Sequence, residues 1–274
     1  MCIYFSLHHH HRHLPLLYTH THTNRIINLL LAFIGNEWSH LLYPGHLSMA
    51  KREAATWAEA INKKLEGSAN CIMFVDGTEK QCCRPVIHQK RLYGGHKRYH
   101  SIGWQGVTGP TGIIVQLFGP CIGTYNDNRK IGEGRLLDVL KKDFPDYFIY
   151  GDQGYGLSPQ IERGFPRSGA TDEEKLYNRL WSAQRICVEW SFNEPVTLFP
   201  TLDFKRMKKP LHSPIGTWYL VGALLFANCH TSMNGTNEIS QHFDIRPPSL
   251  DEYLVPNGPG FEYWFEKYPP YWEI

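Results

Sequence analysis

The sequence predicts an α/β fold, a mixed sheet flanked by helices, and three observations predict it. Strand-like apolar segments come first, a helix separates the third of them from a fourth, and a long amphipathic helix follows the last. The first strand is the run Cys71-Ile-Met-Phe-Val75, which meets Asp76 and Gly77 without an intervening polar residue. An Asp-Gly pair is a common exit from a strand. A strand end is also a rigid mount for a carboxylate that takes part in chemistry. A polar, basic stretch follows, with Gly94-Gly95 reading as a tight turn between extended segments. Residues 99–107 and 112–120 read as two further strands joined by Thr108-Gly109-Pro110-Thr111, and residues 134–144 as a short helix with Leu136, Leu137 and Leu140 on one side. The fourth strand, Tyr147–Tyr150, runs into Gly151-Asp152, so an aspartate beside a glycine closes a strand twice.

The long helix opens at Thr171 with Glu174 three residues later, the signature of a capping box. Leu176, Leu180, Ala183 and Cys187 form one apolar stripe and Tyr177, Trp181 and Val188 another. Between them Asn178, Ser182, Arg185 and Glu189 form a polar line, either an ordinary surface stripe or a seam turned to a cleft. Upstream, Trp57, Ile61 and Leu65 share one face of a helix that stops at Gly67 and packs beside the domain. Three strands, a helix, a fourth strand and an acid-bearing helix is the order of the ribonuclease-H-like fold, the retroviral-integrase-like mixed sheet. There the first acid leaves strand one, the second leaves strand four beside it, and the third arrives from the late helix. Such clustering suits two divalent ions about 4 Å apart, held by shared carboxylates. Hard Mg²⁺ or Mn²⁺ suits oxygen ligands of this kind.

Composition bounds the alternatives. With 274 residues, 42% of them apolar, there is material for one good-sized core. A formal charge of +2 lends little support to a strong nucleic-acid binder, while leaving room for local basic patches. The seven cysteines are odd in number and contain no Cys-x-x-Cys pair, which argues against a disulfide framework or a zinc knuckle and for a reducing compartment. The apolar runs 26–35 and 218–229 fall short of the roughly 20 residues that span a bilayer. Residues 1–47 read as a histidine-rich start, unstructured or misassigned, or else a metal-binding tail. Residues 48–70 read as the helix before the domain, 71–246 as the domain, and 247–274 as an aromatic, proline-rich tail that docks on the domain or on a partner.

The segments "FVDGTEKQCCRP", "LYGGHKRYHSIGWQGVTGPTGIIVQLFGP", "GDQGYGLSP", "LYNRLWSAQRICVEWSF", "LFPTLDFKRMKKP" and "NCHTSMNGTNEISQHFDIRPPSLDEYL" occur in that order. Together they resemble the DDE endonuclease domain of Harbinger/PIF-type transposases and of host nuclease-like proteins derived from them, over about residues 54–255. The resemblance implies that Asp76, Asp152 and Glu189 are the catalytic, metal-binding acids. It also implies a divalent cation (Mg²⁺ or Mn²⁺), DNA as substrate, and residence in the nucleus, with the cytoplasm as the alternative. Three departures accompany it. Residues 1–45 do not resemble the family's upstream DNA-binding region, so a separate DNA-binding partner protein is expected to replace it. Asn126 stands where the family tends to carry His, next to Asp127, which is either an auxiliary acid or part of an Asn-Asp turn. Asn193 stands where the family favours Gly. Two basic clusters complete the reading. Lys90, Arg91, His96, Lys97 and Arg98 surround the first hairpin as phosphate contacts or as a solvated turn. Lys205, Arg206, Lys208 and Lys209 form a DNA contact, an import signal or a surface charge run.

Overall fold

The computed structural model describes residues 19–42, 47–67, 69–95, 97–210 and 212–254. His96 and residues 255–274 of the aromatic tail lie outside the described residues, as do residues 1–18 and 43–46 of the histidine-rich start.

The central strand is β1, Cys71–Gln81. It pairs antiparallel with β3 (Tyr99–Thr108), and β3 pairs antiparallel with β4 (Ile114–Ile122). On its other side β1 runs parallel to β5 (Phe148–Gly151), which runs parallel to the short β6 (Ile161–Arg163). A two-residue strand, β2 (Tyr93–Gly94), closes the basic hairpin against β3. The sheet therefore reads β4-β3-β1-β5-β6, mixed and open, as the order of elements in the sequence predicts.

Helices cover both faces, and glycines show which. Alternate residues of a strand face opposite sides. A Cβ on Gly106 would meet the ring of Phe192 at 2.6 Å, from the long helix α6 (Asp172–Leu198). Phe74 lies on the same face, stacked on Phe243 of α9 (Glu238–Phe243). A Cβ on Gly109 would meet the buried ring of Trp57, on α2 (Leu47–Leu65), at 2.5 Å. The opposite face belongs to α4 (Asp127–Glu133) and α5 (Leu136–Asp143), whose Leu136 and Leu140 are fully buried. Gly77 and Gly103 of the sheet sit against Lys130 of α4.

Several boundaries differ from the sequence reading. Order begins before residue 48: α1 (Thr19–Trp38) and a 3-10 turn (Ser39–Leu41) precede α2, Leu41 and Leu42 are buried, and the Leu42 carbonyl accepts from the Leu117 amide of β4. The expected tail from residue 247 begins with structure too. A helical turn, Leu250–Tyr253, starts at a Ser249 capping box and buries Tyr253, whose hydroxyl accepts from Asn228. In α6 the capping box at Thr171 is present as expected. The apolar stripe that begins with Leu176 and Leu180 is nevertheless exposed at those two residues. No described helix is long and apolar enough to cross a membrane.

Candidate active site

Asp76 does not end its strand. β1 continues through Gly77 to Gln81, because β3 supplies a hydrogen-bonding partner for the whole length, from Phe74 opposite Thr108 to Gln81 opposite Ser101. What ends at Asp76 is the partnership on the other side. The last parallel pair is Phe74 with Tyr150. Asp76 and Asp152 thus each lie two residues past the last paired positions of neighbouring strands. The expected strand-end mount is corrected to a mid-strand mount beside a strand that has stopped.

Both Asp76 oxygens are engaged. Its Oδ1 accepts from the Gly77 amide at 2.8 Å, and its Oδ2 accepts from Arg185 Nη1 at 2.7 Å. The same guanidinium donates from Nη2 to Glu189 Oε1 at 3.3 Å, one turn further along α6. Asp76 and Arg185 are mostly buried, with 18% and 19% of their side chains exposed, whereas Glu189 is 51% exposed. Burial pushes the Asp76 carboxyl above the usual carboxylate range; Arg185 and the Gly77 amide pull it back, and the neighbouring Asp152 pushes it further up. The polar line on α6 is a seam facing the acids and a cleft, with Arg185 at its centre.

Asp152 caps its own turn by accepting from the Gly154 amide at 2.8 Å. A Cβ on Gly154 would lie 3.0 Å from Asp152 Oδ1 and 2.8 Å from Asp127 Oδ2, so the missing side chain is what lets these carboxylates approach. The Asn-Asp pair starts a helix. Asn126 is the N-cap of α4, accepting from the Arg129 amide, and Asp127 is the first residue of that helix. Its side chain also reaches the far face of β1, where a Cβ on Gly77 would lie 2.6 Å from Asp127 Oδ1. There it is paired with the buried ammonium of Lys130 at 3.1 Å. Tyr155 is fully buried in the field of Asp127, Asp76 and Asp152, with its hydroxyl unpartnered among the described residues.

The basic residues expected to contact DNA fall elsewhere. Lys97 pairs with Glu79 at 3.6 Å, and the loop carrying Lys205 and Arg206 packs on Cys83, whose thiol donates to the Lys205 carbonyl at 3.2 Å. These residues, with Lys90, Arg91 and Arg98, gather around the Gln81 end of β1, about 17 Å along the strand from Asp76 at roughly 3.3 Å per residue. Lys208 is no part of a solvated run: it is buried, and its ammonium donates to the Leu202 carbonyl at 3.0 Å. Cys229 is buried, while Cys83 is only half-buried.

Among the described residues no three histidine, cysteine or carboxylate side chains converge tightly enough to hold a metal ion as they stand. The chemistry of the donor set nonetheless suits a hard divalent cation, since every candidate ligand is a carboxylate oxygen. A cationic group, the Arg185 guanidinium, already bridges two of the acids, and Gly154 lets the Asp152 and Asp127 carboxylates approach each other.

A mixed sheet of this order, with acids where its central parallel pair ends and another on the helix that crosses it, defines the ribonuclease-H-like class. Within that class the chain belongs to the DDE superfamily endonuclease family, whose model matches residues 75–226. No curated protein and no solved structure matches the chain.

Proposed function

We propose that the protein is a transposase-derived, divalent-metal-dependent DNA endonuclease in which Asp76, Asp152 and Glu189 are the catalytic acids. The observation that carries this reading is the meeting of Asp76 and Glu189, from β1 and α6, on one guanidinium, with Asp152 just past the end of the neighbouring strand. These acids would hold Mg²⁺ or Mn²⁺, with Asp127 as an auxiliary carboxylate. Bound divalent ions supply positive charge at the phosphoryl oxygens and lower the pKa of an attacking water. The chain's own contribution is rigid placement: β1 fixes Asp76 by ladder pairs before and after it, and Gly154 lets the Asp152 and Asp127 carboxylates approach each other. The reaction consumes one water per phosphodiester, forming a new P–O bond and releasing the 3′-oxygen as a hydroxyl. A 3′-hydroxyl in place of water gives strand transfer.

The basic rim at the Gln81 end of β1 supports DNA running from the acids along that strand. Residence in the nucleus follows from this substrate, and choice of a target sequence falls to a separate DNA-binding partner. A second reading, a non-cleaving DNA- or protein-binding scaffold with the same fold, is favoured by the Arg185 bridge, which already neutralises two of the acids.

Calorimetric titration with Mn²⁺ separates the two. The full chain and an Asp76→Asn/Asp152→Asn variant are compared, so that the histidine-rich start contributes equally to both, and nicking of supercoiled plasmid is followed in parallel. Mn²⁺ binding and nicking that both vanish in a folded double variant are the expected result. Identical titration curves and no nicking by the unmodified chain would leave the scaffold reading.

A further inference from the structure

Beside Asp152 a cleft of about 240 Å³ opens between α6 and the segment after β6. Its floor is built, not incidental. Asn178 clamps the Phe165 backbone at both ends, its Oδ1 accepting from the amide at 2.8 Å and its Nδ2 donating to the carbonyl at 3.0 Å. Gln153 donates to the same carbonyl at 2.7 Å, and Arg163 donates to the Gln153 carbonyl at 2.6 Å. Gly164 admits this closeness, because a Cβ there would lie 2.6 Å from Asn178 Oδ1.

Apart from the Asp152 carboxylate at its edge, the groups left over in the cleft are donors. Arg167 lines the cleft, is exposed, and makes no ion pair among the described residues. Ser182, also on the cleft wall, has no hydrogen-bond partner among them. Arg185 spends one donor on Asp76 and one on Glu189, which leaves three of the five N–H groups of its guanidinium. The cleft does not offer an aromatic face for a base: Tyr150, in its wall, is already stacked on Trp181 with centroids 4.6 Å apart. Two guanidinium forks and a hydroxyl around a small space suit a tetrahedral oxyanion.

We propose that this cleft is a subsite for a backbone phosphate of the DNA strand next to the phosphate being cut, held by Arg167, Arg185 and Ser182. The inference rests on the nuclease reading, because only DNA lying across Asp76 and Asp152 brings a neighbouring phosphate here. Contacts of this type are the same for every sequence and fix the strand's register without reading its bases.

The test is fluorescence anisotropy of the full chain with a labelled duplex, in chelator and again in Mn²⁺, across a salt series. Arg167→Ala is expected to weaken binding roughly tenfold. It should also lower the slope of log Kd against log salt by about one. Ser182→Ala weakens binding less and leaves the slope alone, since it removes no charge. Arg167→Lys restores the slope while recovering only part of the affinity, because a point charge replaces a planar fork. An unchanged Kd and salt slope in a folded Arg167→Ala variant would overturn the subsite and leave the endonuclease reading standing. Absence of DNA binding by the unmodified chain in both conditions would overturn both.

Discussion

Arg185 pairs with Asp76 and Glu189 in the structure as it stands, and an ion bound by those acids would have to displace it. Replacing it with glutamine, which keeps much of the length but removes the charge, therefore moves two observables in opposite directions. The contact with Asp76 is short, at 2.7 Å, and both side chains are about four-fifths buried. Removing one partner of a fully buried pair costs about 3–5 kcal/mol. The figure is smaller here, because the Gly77 amide stays on Asp76 and glutamine can donate one hydrogen bond. The longer contact with the half-exposed Glu189 contributes at most about 1 kcal/mol. A loss of about 2–3 kcal/mol follows, a fall in Tm of roughly 5–10 °C for a domain of this size.

The metal moves the other way. An ion that no longer competes with a guanidinium binds more tightly by about the energy of the lost pair, at least tenfold in Kd. Thermal unfolding with and without Mn²⁺, together with calorimetry, reads both effects on the same two proteins. An unchanged Tm without metal would mean the bridge does not form in solution. Weaker Mn²⁺ binding by a folded variant would refute the reasoning outright, since Arg185 would then organise the ligands and not compete with the ion.

Two further predictions concern the scaffold. Burial raises the Glu194 carboxyl above its ordinary range, although hydrogen bonds from His230 and Thr231 lower it in part. A carboxyl raised in the folded state binds its proton more tightly folded than unfolded, so stability is lost as pH rises from the ordinary carboxylate range through the raised value. Glu194→Gln should flatten that slope and gain stability relative to the unmodified protein at pH 7 but not at pH 4, as urea unfolding at the two pH values will show. Gly109→Ala drives a methyl into the buried ring of Trp57 and should cost about 1–3 kcal/mol, read as a lower urea midpoint at constant m.

How much of this the sequence displays depends on how far apart the interacting residues lie. The capping box at Thr171, the strands β3 and β4 and the buried face of α2 are local patterns, and each stands in the structure within two residues of its expected place. The passage of β1 through Asp76-Gly77 is hidden, because a strand's length is set by its partner, and the partner here is β3, some thirty residues on. β6 is hidden because three residues carry no periodicity. Lys208 sits in a basic run and Lys130 in a polar segment, yet the first is buried against the Leu202 carbonyl and the second against Asp127. Nothing in their neighbours' identities distinguishes them. Arg185 falls between these cases. Its place in a polar line is legible, but its partner Asp76 is 109 residues away and only the fold brings them together.

The mid-strand position of Asp76 changes the argument about how its carboxylate is held. A residue at a strand end is anchored from one side and inherits the mobility of the loop that follows. Asp76 instead has ladder pairs before and after it on β3, Val75 with Val107 and Gly77 with Gln105, while the side toward β5 lies open because that strand has turned away. The backbone is thus fixed and the carboxylate faces α6, where Arg185 meets it. Asp152 has no such support: it follows the last residue of β5, and its geometry rests on its own turn with Gly154. The two acids therefore differ in stiffness. On the nuclease reading proposed above, any adjustment that would draw the carboxylates around a divalent ion belongs to the Asp152 turn and the exposed Glu189 side chain, with Asp76 as the fixed point.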